Sequence, residues 1–120
     1  MNKKYIEGLK NASPEKRYKS FLNTVADRGE VWFLASDDGV VTYDFDGFIN
    51  LPVWPGKEFC FGSETGDDTA VSMEVHEFLE HCRSLNENIR LMVFPTEENA
   101  YIVDSEQLVY DIQESLDEVE

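Results

Sequence analysis

One helix with both of its ends written into the sequence does most to restrict how this chain folds. Ser13-Pro14-Glu15 has the order of an N-cap, a first-turn proline and a first-turn acid. Each suits the orphan N–H groups and the positive end of a helix. Tyr18, Phe21, Leu22 and Val25 follow at i, i+3, i+4 and i+7, one apolar stripe. Arg28-Gly29 closes the helix, because glycine adopts the left-handed backbone of a helix C-terminus at little cost. A helix of this kind buries one face only, so the remainder of the chain has to supply a surface for it.

That surface reads as strands. "EVWFLAS" is β-rich, "DDG" after it is a turn signal, and "VVTYDF" is expected to pair back antiparallel. A second turn at Asp46-Gly47 leads into "FINLPVW". Pro52 and Pro55 donate nothing to a ladder, so this third strand ends there or lies at an edge. "KEFCF" suggests a further short strand, and the polar "GSETGDD" a surface loop. Ser72 is placed to cap a second helix carrying Val75, Phe78, Leu79 and Cys82 as its stripe. "IRLMVFP" and "YIVD" form a hairpin around "TEENA". Asp104 and Gln107 have the spacing of a capping box, opening a third helix with Leu108, Ile112, Leu116 and Val119 inward.

Strands joined by hairpins predict an α+β fold, a mainly antiparallel sheet (a meander plus a hairpin) covered by about three helices. Residues 1–12 read as an N-terminal arm and 13–120 as a single α+β domain. A chain of 120 residues, 42% hydrophobic with fifteen aromatic residues, can bury one such core. No stretch approaches the ~18 consecutive apolar residues of a membrane span. "MNKKYIEGLK" lacks the apolar region of a secretory signal, which points to the cytoplasm. Cys60 and Cys82 stand outside any CxxC spacing and read as reduced thiols, although spacing alone leaves a disulfide open.

Charge is the most unusual global property. The formal net charge is −15, and it is unevenly spread. Residues 1–19 hold six basic and two acidic residues, whereas 20–120 hold four basic and 23 acidic. From Asp104 onward there are seven acids and no Lys or Arg. Such a field repels nucleic acid and anionic membranes and attracts a basic protein partner; it also serves solubility.

Local chemistry is weak by comparison. "DFDG" aligned on a calcium loop puts Asp44, Asp46 and Gly47 in place, but the closing positions fall on Thr42 and Val53. Asp46-Gly47 is equally the dipeptide of a hairpin turn, which is the reading preferred here. His76 and His81 are five apart and diverge around a helix, so no metal ligand set is expected. No nucleophile motif or phosphate loop is present, and neither a catalytic residue nor a cofactor is expected. Recognition remains: Trp54, held between two prolines, together with Asp44 and Asp46, is the candidate partner-binding set. For Trp54 the competing assignment is a core position at a strand end.

In order, "SPEKRYKSFLNTVADRGEVWFL", "LPVWP", "SMEVHEFLEHC", "VFPT" and an acidic terminal helix resemble a bacterial family of small proteins, domain of unknown function 2750. The likeness runs from about Ser13 to about Leu116. Where relatives place a tryptophan in the second helix, this chain has Phe78 and His81. The resemblance implies a cytoplasmic bacterial protein with one α+β domain and brings no activity, cofactor or catalytic residue. The expected function is therefore a non-catalytic protein-interaction or regulatory module. The alternative is a small enzyme or ligand-binding domain with a pocket between helices and sheet.

Overall fold

The computed structural model describes residues 3–60, 68–96 and 99–119. These residues form an α+β arrangement of four helices and two mostly antiparallel sheets. The capped helix forms as its ends dictate. In α2 (Pro14–Arg28) the Ser13 hydroxyl accepts from the Lys16 N–H, and Gly29 at φ 74° donates to the Val25 carbonyl. The Gly29 carbonyl then accepts from the Val75 N–H, tying the end of this helix to the start of another. The arm before it contains α1 (Lys3–Lys10), of which Leu9 packs against the core.

Strand β1 (Glu30–Ser36) turns at Asp37-Asp38 into β2, as the "DDG" signal requires, but β2 is only Gly39–Val40. The expected single strand "VVTYDF" is divided. Its second half, β3 (Tyr43–Phe45), leaves β1 and pairs with β4 (Phe48–Val53) in the other sheet. The meander is therefore a fork, with β2 on β1 and β3 on β4. The two prongs meet at one antiparallel bridge, where Trp32 and Trp54 exchange main-chain hydrogen bonds of 2.9 and 2.8 Å.

Pro52 explains why the fork opens where it does. Ile49 and Val53 use their main-chain groups toward β6 (Ile89–Val93), so those of Pro52 face the fork, where no N–H is required. The β4–β6 pairing is parallel, unlike the all-hairpin expectation. Parallel strands need a crossover, and the chain supplies one through β5 (Thr69–Glu74) and α3 (Val75–Arg83). Strand β5 pairs with β1 along six positions, where the sequence predicts no strand. Ser72 lies within it, and the cap of α3 is Glu74, whose carboxylate accepts from the His76 and Glu77 N–H groups. Of "KEFCF", Lys57–Phe59 form a 3-10 turn where a strand is expected, and Phe61 lies outside the described residues. Of "GSETGDD", all but Asp68 lies outside the described residues.

The hairpin β6–β7 (Tyr101–Asp104) and α4 (Ser105–Val119) complete the order; Leu108, Ile112 and Leu116 are buried as expected, but Val119, at the end of the helix, is exposed. Asp104 caps α4 through the Gln107 N–H at 2.7 Å, but the Gln107 side chain turns to Asp111 instead of returning to the cap. Helices α2 and α4 lie on the face that carries Leu91, Val93, Tyr101 and Val103. There the Tyr18 ring stacks on Tyr101 at 4.1 Å, and the Tyr18 hydroxyl donates to Asp111. Phe21, Val25, Phe78, Leu79, Leu108 and Ile112 fill this layer, each worth about 1.5–3 kcal/mol of transfer free energy. Among the described residues no helix is long and apolar enough to cross a membrane.

Candidate functional site

Side chains alternate across a sheet, and paired residues share a face. The pairings Tyr43↔Asn50, Asn50↔Arg90 and Arg90↔Asp104 therefore define a row crossing β3, β4, β6 and β7 on the face away from α2 and α4. Phe45 and Phe48 pair next to it on the same face. Two residues beyond Pro52 and four beyond Asn50, just past the end of β4, stands Trp54, with its bridge partner Trp32.

The hairpin that carries this row is held from inside. Asp46 (φ 55°) and Gly47 (φ 80°) make a two-residue turn with positive φ at both positions, the type that matches strand twist. "DFDG" is thus a hairpin turn. The fully buried Asn50 points its Nδ2 at the carbonyls of Tyr43, Phe45 and Phe48, at 3.2–3.3 Å. The Arg90 guanidinium lies over the Phe48 ring, 3.6 Å from its centroid, and 3.8 Å from the Asp46 carboxylate. Tyr43 and Phe45 nevertheless remain 47% and 58% exposed on an edge strand, with Val40 of β2 at 49%.

Of the three residues singled out by sequence, Asp44 and Asp46 are exposed on this hairpin, but Trp54 is 1% exposed. The indole is inside, packed at the bridge, which is the core position at a strand end that competes with recognition for this residue. The aromatic residues that this face does expose, Tyr43 and Phe45, are absent from that set. The signal available was their i, i+2 spacing next to a hairpin turn, which puts both rings on one face of a short edge strand. Arg90 and Asn50 gave no local signal, because their roles exist only through the β4–β6 register.

A second property marks this face. The buried side-chain polar atoms without a hydrogen-bond partner among the described residues are Trp32 Nε1, Asn50 Oδ1, Trp54 Nε1 and Arg90 Nε. All four belong to this face, and each such group costs about 1–3 kcal/mol. The helical side is better satisfied, so the stability given up in unpaired polar groups is concentrated around the fork.

Cys82, in contrast, is an inert position. Both cysteines are buried and reduced, and burial pushes the Cys82 thiol up to about 12. The folded state keeps its proton after the unfolded chain has lost it. Its stabilising contribution is therefore complete below the ordinary thiol range near 9 and is lost as pH rises toward about 12. Mass-mapped alkylation at pH near 8 is expected to leave Cys82 unmodified in the folded protein and to modify it in urea. Native labelling at the denatured rate would contradict this burial.

These features define a small α+β domain whose forked sheet presents a rigid aromatic and acidic hairpin. Residues 18–112 match the family described as protein of unknown function (DUF2750), and the chain belongs to that family. No curated protein matches it.

Proposed function

We propose that this single domain, with its N-terminal arm, is a non-catalytic protein-interaction module of the bacterial cytoplasm. Its partner is an extended segment rich in Lys and Arg, received along β3. The observation that carries this reading is the exposure of Tyr43 and Phe45 on an edge strand beside Asp44 and Asp46. An edge strand offers main-chain groups to an added strand. Aromatic rings and carboxylates together favour cationic side chains. The net charge of −15 extends the same preference to long range.

Fluorescence anisotropy with a labelled peptide of alternating arginine and valine tests the proposal. The pair Tyr43→Ser/Phe45→Ser is expected to weaken binding about tenfold or more without lowering Tm, because both rings are largely exposed. Asp44→Asn/Asp46→Asn is expected to weaken binding at low salt and to matter little at high salt. Asparagine tolerates positive φ, so the turn at Asp46 survives that change. Equal binding by the parent and both double variants would refute the assignment of β3.

A further inference from the structure

A second site lies at the other end of the chain's order and does not depend on the reading of β3. Between the C-terminal end of α3 and the first turn of α4 the structure has an open cleft of about 630 Å³. That volume is in the range of small-ligand sites. Its lining is mixed: Leu85, Ile89 and Val109 are each partly buried there, Cys82, 2% exposed, lines one wall, and the other lining residues are polar or charged. The Cys82 thiol has no hydrogen-bond partner among the described residues.

The rim is mainly acidic. Glu87, Asp104 and Glu106 are exposed around the opening, against one cation, Arg83, whose Nη1 is turned to Glu80 at 2.9 Å. The positive end of α4 also faces the cleft, but Asp104 already answers it by accepting the Gln107 N–H. The C-terminal end of α3 adds its own negative partial charge. What remains unbalanced is three exposed carboxylates, Glu87, Asp104 and Glu106, beside the three partly buried apolar side chains. That pairing suits a ligand with the same two halves reversed.

We propose that this cleft binds an amphipathic organic cation: an ammonium or guanidinium group at the carboxylate rim, with an alkyl chain laid on Leu85, Ile89 and Val109. An anion held by the start of α4 is the opposing assignment, and the carboxylates argue against it.

The test is a titration followed by nitrogen–proton correlation spectra, using agmatine as the cationic probe and inorganic phosphate as the anionic one. Agmatine is expected to give saturable shifts in the amides of 83–89 and 104–109 and none in β3. Glu87→Gln/Glu106→Gln is expected to raise the agmatine Kd about tenfold. Asp44→Asn/Asp46→Asn should leave it unchanged, which separates this site from the β3 hairpin. Val109→Trp, filling the cleft, should abolish the shifts. The proposal is overturned if agmatine shifts spread over the acidic surface without saturating. It is also overturned if phosphate moves these amides and agmatine does not, or if the Glu87→Gln/Glu106→Gln variant binds as the parent does.

Discussion

Trp54→Ala is expected to lower the free energy of unfolding by about 3–5 kcal/mol, the range for removing a large aromatic side chain from a packed core. The residue is 1% exposed, and its main chain forms the bridge that joins the two sheets. Alanine keeps the bridge hydrogen bonds but leaves a cavity where the prongs of the fork diverge, and Pro52 and Pro55 restrict the backbone that would have to collapse into it. Trp54→Phe supplies the control. Because the indole Nε1 has no partner among the described residues, phenylalanine loses volume but no hydrogen bond. Its cost is expected to be about 1–2 kcal/mol. Urea unfolding followed by circular dichroism gives both values. The folded phenylalanine variant should bind the arginine–valine peptide as the parent does. A phenylalanine variant of parental stability with weakened peptide binding would return Trp54 to the interaction surface.

The contrast between Trp54 and Phe45 shows what was legible in the chain and what was not. A tryptophan flanked by prolines is locally rigid, which suits a core corner as well as a recognition surface. The choice depends on what lies across from it, and Trp32 is 22 positions away. Local signals served well where the physics is local. The caps of α2, the turns at Asp37-Asp38 and Asp46-Gly47, and the apolar stripes of α2, α3 and α4 all stand where their residues require. Strand β5 was lost because "TAVSME" mixes one buried alanine with exposed positions and places a plausible cap, Ser72, inside the strand. "VVTYDF" looked continuous because nothing within it announces that Val40 and Tyr43 belong to different sheets. The parallel β4–β6 pairing, and with it the neighbourhood of Arg90, follows from the crossover and not from any single segment.

Arg17 is the largest omission of that kind, and its replacement is expected to cost as much as that of Trp54. In the sequence it is one of six basic residues near the N-terminus, next to the stripe of a helix whose other charges face solvent. In the structure it is 1% exposed. Its Nε donates to the Phe94 carbonyl at 3.0 Å, and its Nη1 to the Ala12 carbonyl at 2.5 Å. Nη2 reaches the Asn99 carbonyl at 3.2 Å as well as the Asn99 side-chain oxygen. One guanidinium thus joins the start of α2, the end of β6 and the β6–β7 connection. Phe94 needs such a hold: it is a bulky residue at φ 49°, a backbone state that costs about 1–3 kcal/mol and persists only where its surroundings impose it.

Arg17→Met keeps the length of the side chain but leaves those carbonyls without this donor. A loss of about 3–5 kcal/mol is expected. Arg17→Lys should recover little of it, because an ammonium cannot reach three directions in one plane. Asn99→Ala, which removes a single partner, should cost about 1 kcal/mol. Because both act through the same contact, the double variant should lose less than the sum of the two, and that coupling separates a shared network from two independent effects. Amide exchange gives a second measure: the Phe94 N–H, bonded to the Val53 carbonyl at 2.8 Å, should lose protection in Arg17→Met before β1 and β5 do. Additive costs, with protection at Phe94 unchanged, would mean that the strained turn is held by its own packing, against Phe59 at 5.0 Å, and not by the arginine.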